Sequence, residues 1–189
     1  MNRSGSDGAL AQLGLEQLRS NGLPSSGKTF PDGEQYRVEI ASVEDELCLS
    51  TVIEAAAEYE VPVCRVSQGS GVTLLDDTEI DRMVHAAAQA GIELSLFARP
   101  NASWTDSAMS RAPAGAVIAA SAHGLDELTG ALDEIKRAAD LGVRSVLIAD
   151  LGVLSAFGQL RESGWLPFDM KAKTSVMLPT ANPLAAASW

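Results

Sequence analysis

Three side chains of this sequence lie where acid–base or amine chemistry is feasible. Asp150 and His123 each follow an apolar run, and Lys173 alternates with Lys171 in a short stretch near the end of the chain. A carboxylate or an imidazole can move protons, while a lysine can hold an anionic group or form a Schiff base. The sequence therefore makes Asp150, His123 and Lys173 the candidate catalytic residues.

Four further polar residues lie near the predicted strand ends and are candidate substrate contacts. They are Glu39, Gln68, Arg99 and Asn182. Gln68 opens a Gln-Gly-Ser-Gly segment whose backbone N–H groups can converge on an anion. The segment lacks the lysine of a phosphate loop, so two interpretations stay open, a flexible turn or a ligand contact. Arg99 is suited to holding an anionic group.

Structural roles compete with these chemical ones. Asp150 can cap the helix that is predicted to begin at Leu151, and capping does not exclude a site role. Lys171 and Lys173 point to the same face of a strand, so either they lie in solvent or one enters a site. Lys173 with Ser175 is the pair that we predict at the mouth of the site.

The elements that must position these residues alternate between strand and helix. Short apolar runs predict strands, helical spacing predicts the segments between them, and Ser42 and Asp150 are predicted to cap two of the helices. The predicted strands are Tyr36–Ile40, Pro62–Val66, Glu93–Phe97, Ala116–Ala120, Val143–Ile148 and Phe168–Ser175. This alternation indicates parallel crossover units.

Two α/β architectures contain this alternation of strands and helices. A doubly wound nucleotide binder carries glycines after its first strand, but Ala41-Ser-Val-Glu44 contains none. Polar residues at every strand end instead favour a parallel (β/α) barrel of the TIM type. A full barrel takes roughly 250 residues and this chain has 189. We therefore expect a flexible tail over residues 1–28 and a barrel over residues 29–189 that is incomplete at its C-terminus.

The composition of the chain limits the classes of partner that we expect. The chain carries a net charge of -11 and has no apolar run long enough for a membrane span. Nucleic acid and membrane partners are not expected, and the predicted location is cytoplasmic. Cys48 and Cys64 lack a metal-binding spacing, so no metal site is predicted, and no cofactor is specified. A small-molecule or peptide ligand is expected, with homo-oligomer formation through an open sheet edge as a further expectation.

One segment resembles a known family. Val146-Leu-Ile-Ala-Asp150-Leu-Gly is similar to the strand and Asp-Leu-Gly signature of the U-32 peptidases, also called collagenase-like peptidases. Asn182 matches an asparagine that follows the family's next strand. Lys173 and Val176 stand where the family has histidine and glutamine, and its cysteine cluster lies beyond this chain's residues. The resemblance implies a barrel and a hydrolase acting on a peptide-like or small anionic substrate.

Two other functional classes stay open beside the hydrolase. The first is a non-catalytic binding or assembly module that pairs through its open strand edge. The second is an aldolase-like barrel enzyme in which Lys173 forms the Schiff base. Mass in solution and borohydride trapping, respectively, would test them.

Overall fold

The computed structural model describes residues 4–15, 25–100, 113, 120–178 and 180–187. The chain divides into two compact units, Met1–Tyr36 and Arg37–Trp189. The first unit contains helix α1, Ser4–Gln12, and a turn in which the Gly33 N–H donates to the Phe30 carbonyl over 2.9 Å. The predicted tail, residues 1–28, lies within this first unit.

The second unit is an α/β domain whose strands and helices alternate. Its elements in chain order are β1 Val38–Ala41, α2 Glu46–Glu58, β2 Val63–Ser67, a 3-10 helix Val72–Leu74, α3 Asp77–Gln89, β3 Glu93–Phe97, α4 Gly124–Asp140, β4 Ser145–Ile148, α5 Leu151–Glu162, β5 Lys171–Thr174 and α6 Pro183–Ala186. The predicted α/β class is confirmed. No helix within the described ranges is long and apolar enough to span a membrane.

Aspartates begin three of the helices. Asp45, Asp76 and Asp150 each accept a hydrogen bond from the backbone N–H three residues later, which satisfies a donor that the first helical turn leaves free. The prediction that Ser42 caps α2 is wrong. Ser42 instead adopts a left-handed backbone with a φ of 59°, and the helix begins at Glu46.

The five strands form one parallel sheet in the order β1-β2-β3-β4-β5. Leu96 of β3 pairs directly with Val146 of β4. β3 and β4 are therefore direct neighbours in the sheet, and the predicted strand Ala116–Ala120 stays a prediction. Residues 116–119 lie outside the described residues, and Ala120 is in a turn.

The helices pack against one face of the sheet. Val66, Leu94 and Leu96 join a core with residues of α2 and α3, while Val146 and Ile148 join a second core with residues of α4 and α5. Right-handed crossovers between strands that are neighbours in the sheet place the connecting helices that the structure describes on the same side. The sheet is thus wound in one direction, with apolar side chains directed to the helices.

The opposite face of the sheet carries the alternate residues, and we call it the open face. Register places Glu39 beside Arg65, Arg65 beside Glu93, and Leu147 beside Lys173 on this side. The two helix-packed cores lie on the other side, and Phe97 and Leu147 of this face form a separate small apolar cluster with Ala120 and Ala149. Side chains that the two-residue period directs away from the helices are therefore largely polar.

The open face is concave. A flat sheet with strands about 4.8 Å apart would place β1 and β5 about 19 Å from each other. Extended lysine and glutamate side chains joined by a hydrogen bond span only about 14 Å between Cα atoms. Yet Lys173 of β5 donates to Glu39 of β1. The sheet must therefore curl around its open face to bring the two edge strands together.

Candidate functional site

Five charged side chains form a connected cluster on the open face, which we call the charge layer. Its members are Glu39, Arg65, Glu93, Lys171 and Lys173. Arg65 Nε donates to Glu93 Oε1 over 2.6 Å, and Arg65 Nη1 lies 3.5 Å from Glu39 Oε2. Lys171 Nζ donates to Glu93 Oε2 over 2.7 Å. Two carboxylates thus face three cations, which leaves one excess positive charge in an acidic protein.

Lys173 closes this layer from one edge of the sheet to the other. Its Nζ donates to Glu39 Oε1 and, over 3.2 Å, to the Ser67 hydroxyl, which itself donates to Glu39. The Lys173 and Glu39 side chains are only partly exposed, so solvent screens their attraction less than at a free surface. An ammonium held in this way acts as a counter-ion, whereas a Schiff-base lysine must present a neutral amine.

The two carboxylates of the charge layer have shifted pKa values. Burial acts to raise the pKa of Glu39, but hydrogen bonds from Lys173 and Ser67 and the charges of Lys173 and Arg65 outweigh it. Burial likewise acts to raise the pKa of Glu93, and hydrogen bonds from Lys171 and Arg65 outweigh that effect. Both pKa values are therefore lowered from their ordinary value of 4.5.

These lowered pKa values predict loss of stability in acid. The unfolded chain takes up protons at Glu39 and Glu93 at a higher pH than the folded chain does, so the stabilisation is complete above the ordinary pKa of 4.5. It should disappear as the pH falls through the lowered folded values. We expect the free energy of unfolding, measured with urea, to fall more steeply with acidification in the wild type than in Glu93→Gln.

Glu54→Gln provides the matched control for that prediction, because it removes an exposed carboxylate of α2. The control should keep the acid dependence of the wild type. Equal slopes in all three proteins would show that the charge layer does not contribute to the pH dependence.

A pocket of about 240 Å³ opens beside the charge layer at the carboxyl ends of the strands. Lys173 and Leu147 line it, together with backbone and side chains that end β1, β2 and β5. Four hydroxyl-bearing residues contribute to the wall, Ser42, Ser67, Thr174 and Ser175. The pocket is smaller than the roughly 300–1,000 Å³ that drug-sized ligands occupy, so it suits a small molecule. Lys173 and Ser175, the pair predicted from sequence, line the same pocket.

Gln68 maintains the loop at the rim of this pocket. Its side chain is fully buried, and it both donates to the Gly71 carbonyl over 2.9 Å and accepts from the Gly71 N–H over 3.0 Å. Gly71 has a φ of 118°, a conformation that a residue with a Cβ rarely adopts. Gln68 therefore lines the pocket while its own polar atoms hold the glycine turn.

Both carboxylate oxygens of Asp150 accept hydrogen bonds from backbone amides. Its Oδ1 accepts from Val153 N over 2.8 Å, which caps α5, and its Oδ2 accepts from Ala122 N over 3.0 Å. The predicted capping role is confirmed. The second bond, which sequence did not predict, ties the end of β4 to the segment that leads into α4.

His123 lies immediately beyond that contact and is paired with Glu127. The buried Glu127 carboxylate accepts from the His123 backbone N–H over 2.7 Å and lies 3.3 Å from His123 Nδ1. A carboxylate at Nδ1 orients an imidazole and favours the tautomer that leaves Nε2 free as a base. Asp150 and His123 thus lie near each other, and Glu127 is a functional candidate that the sequence interpretation missed.

The other two residues predicted to contact substrate, Arg99 and Asn182, lie in different parts of the structure. Arg99 is half-buried after β3, with its Cβ 3.5 Å from the position that a Cβ on Gly71 would occupy. Asn182 is exposed and caps α6 by accepting from Ala185 N over 2.9 Å. Asn182 is not among the residues that line the pocket. Glu39, Gln68 and Lys173 are the three predicted residues that the structure gathers around the pocket and its charge layer.

Sequence reasoning also missed several members of the charge layer, although a signal was present. Arg65 and Ser67 alternate in β2, as do Glu93 and Ser95 in β3, inside otherwise apolar strands. Polar residues at every second position indicate a strand whose two faces differ. Applied to all five strands, this pattern would have identified the open face.

Comparison with protein-family models, with curated proteins and with solved structures found no match for this chain. The contacts of its own residues therefore carry the functional proposals.

Proposed function

We propose that this chain is a (β/α) barrel domain of the TIM type that binds a small anionic molecule in the pocket at its strand ends. Support for the barrel comes from the one-directional winding, the helices on one face and the curl that brings β1 to β5. Strand ends at the carboxyl edge are where such barrels hold their ligands. The proposal of an anionic ligand depends on one observation: the Lys173 ammonium lies beside a pocket lined with hydroxyl groups.

Charge supports the same ligand class. The charge layer has one more cation than carboxylates, whereas the whole chain has a net charge of -11. Lys173 is the cation of this layer that lines the pocket, so its ammonium is the group within reach of a small anion there. Hydroxyls of Ser67, Thr174 and Ser175 supply neutral hydrogen-bond partners for the rest of the ligand.

A hydrolase of the U-32 peptidase type is the enzymatic form of this proposal. It is favoured by the His123–Glu127 pair, in which an oriented imidazole could take a proton from water. This pair lies outside the lining of the pocket, so the substrate would have to extend from Lys173 to His123. Asp150 would contribute by positioning this segment through Ala122. The substrate would be peptide-like or a small carboxylate, held through its negative charge at Lys173.

Binding of glutarate, a small dicarboxylate, tests the ligand class. We expect glutarate to bind the wild type and Lys173→Met to lose at least about tenfold in affinity, because a charge-assisted hydrogen bond contributes about 1.5–3 kcal/mol. Isothermal titration calorimetry at low ionic strength measures both constants. Lys136→Met serves as the control, since it removes a cation that pairs with Asp140 on α4, outside the pocket.

The glutarate titrations either support or contradict the proposed anion pocket. Retention of wild-type affinity by Lys136→Met together with loss in Lys173→Met supports the pocket. If neither glutarate nor a phosphate ester such as glycerol phosphate binds the wild type, the small-anion proposal is wrong. The same conclusion follows if Lys173→Met, shown to be folded by circular dichroism, binds as tightly as the wild type.

A further inference from the structure

Two consecutive backbone amides at the rim of the pocket hold a carboxylate of the protein itself. Gly69 N donates to Glu44 Oε1 over 3.2 Å, and Ser70 N donates to Glu44 Oε2 over 3.0 Å. Successive N–H groups that converge in this way form a concave site for an anion. Each carboxylate oxygen receives one amide, so Glu44 occupies this site with both of its oxygens.

One residue of the amide pair, Gly69, belongs to the pocket that Lys173 also lines. Gly69 is one of the lining residues, together with Ser42 and Lys173. A Cβ built on Gly69 would lie 3.2 Å from Glu44 Oε1 and 3.7 Å from Ser42 Oγ. The absence of a side chain at Gly69 therefore leaves the space in which the carboxylate approaches the backbone.

Glu44 is placed there by the segment that joins β1 to α2. Val43 is buried, and its N–H donates to the Ser67 carbonyl over 3.0 Å, which fixes this segment against the end of β2. Glu44 itself remains half-exposed. Its carboxylate can therefore move into solvent by side-chain rotation, while buried Val43 keeps the backbone in place.

We propose that the Gly69 and Ser70 amides are a carboxylate-binding site of the pocket, and that Glu44 is an internal occupant which a ligand's carboxylate replaces. The inference rests on the proposed function, because the incoming molecule is the small anion held by Lys173. Exchange conserves the two amide hydrogen bonds, so its free energy is decided by what else the ligand contacts. A molecule with a second anionic group for Lys173 should therefore displace Glu44 more readily than a monocarboxylate does.

Removal of Glu44 tests the exchange directly. We expect Glu44→Ala to bind glutarate about tenfold more tightly than the wild type, as for a site that its internal occupant leaves free about a tenth of the time. Amide-resolved NMR titration should show the largest shifts at Gly69 and Ser70, with acetate binding more weakly than glutarate. Sodium chloride at matched ionic strength separates specific binding from screening.

Two further variants keep the test decisive. Glu54→Ala removes the same charge from an exposed position of α2 and should keep the wild-type affinity. Glu44→Gln retains one neutral acceptor oxygen, for one of the two amides, so it should fold even if Glu44→Ala does not. It should also bind glutarate more tightly than the wild type. Unchanged affinity in the folded Glu44 variants, or shifts that spare Gly69 and Ser70, would overturn the exchange.

Failure of this inference differs from failure of the proposed function. If glutarate binding depends on Lys173 but not on Glu44, the anion pocket stands and the exchange with Glu44 is wrong. If glutarate binds none of the variants, the proposed function fails first and the exchange fails with it.

Discussion

Replacing Asp150 with alanine should lower the free energy of unfolding by about 3 kcal/mol, which combines loss of a helix cap with loss of a second charge-assisted hydrogen bond. The wild-type carboxylate accepts from Val153 N and from Ala122 N, and alanine leaves both amides without that acceptor. Urea unfolding followed by circular dichroism measures the change. A loss of this size would show that Asp150 supports the fold at the strand edge, whatever chemistry occurs beside it.

Asp76→Ala is the matched control, because Asp76 caps α3 through one bond to Glu79 N over 2.7 Å. Its loss should be about 1 kcal/mol, the usual cost of a single cap. Asp150→Asn retains an acceptor oxygen and should lie between the wild type and Asp150→Ala. Equal losses in Asp76→Ala and Asp150→Ala would contradict the importance of the Ala122 contact.

Substitution of Lys173 with methionine should lower the free energy of unfolding by about 2 kcal/mol, because it leaves a partly buried carboxylate without its principal cation. Glu39 would retain Arg65, at 3.5 Å, and the hydroxyl of Ser67. A double-mutant cycle with Glu39→Gln isolates the pairwise contribution, and we expect a coupling free energy of about 1–2 kcal/mol. Thermal or urea unfolding of the four proteins provides the values.

Lys171→Met offers the appropriate comparison on the same strand. Lys171 pairs with Glu93, but its side chain is 63% exposed, whereas that of Lys173 is 29% exposed. Exposed ion pairs contribute at most about 1 kcal/mol, so Lys171→Met should cost less than Lys173→Met. Equal costs, or a coupling near zero for Lys173 and Glu39, would show that the contact between the edge strands does not stabilise the curled sheet.

Local patterns in the sequence predicted most of the α/β domain. Glu93–Phe97 was predicted with its observed bounds, since Gly91 adopts a φ of 68° after α3 and an apolar run follows. Asp150 was recognised as a cap because a short acidic side chain before a helical pattern is a favoured N-cap. The start of α2 was misplaced, since Ser42 and Asp45 are both suitable caps and the left-handed backbone at Ser42 decides between them.

The sheet and the site depended on contacts that local pattern does not encode. Lys173 and Glu39 are 134 residues apart, and Glu44 and Ser70 are 26 apart. Strand register decides which of these side chains share a face, and a shift of one residue would move every side chain to the opposite face. The sequence therefore left Arg65, Glu44 and Glu127 without a functional interpretation.

By itself the sequence determined the alternation of strands and helices, the parallel connections and the polar character of the strand ends, because these depend on side-chain period and on caps within a few residues. Only the tertiary structure decided that the sheet curls until Lys173 reaches Glu39, and that Glu44 occupies the amides of Gly69 and Ser70. The physical reason is that hydrogen bonds act only over short distances, so these contacts form only when folding brings segments that are distant in sequence close together.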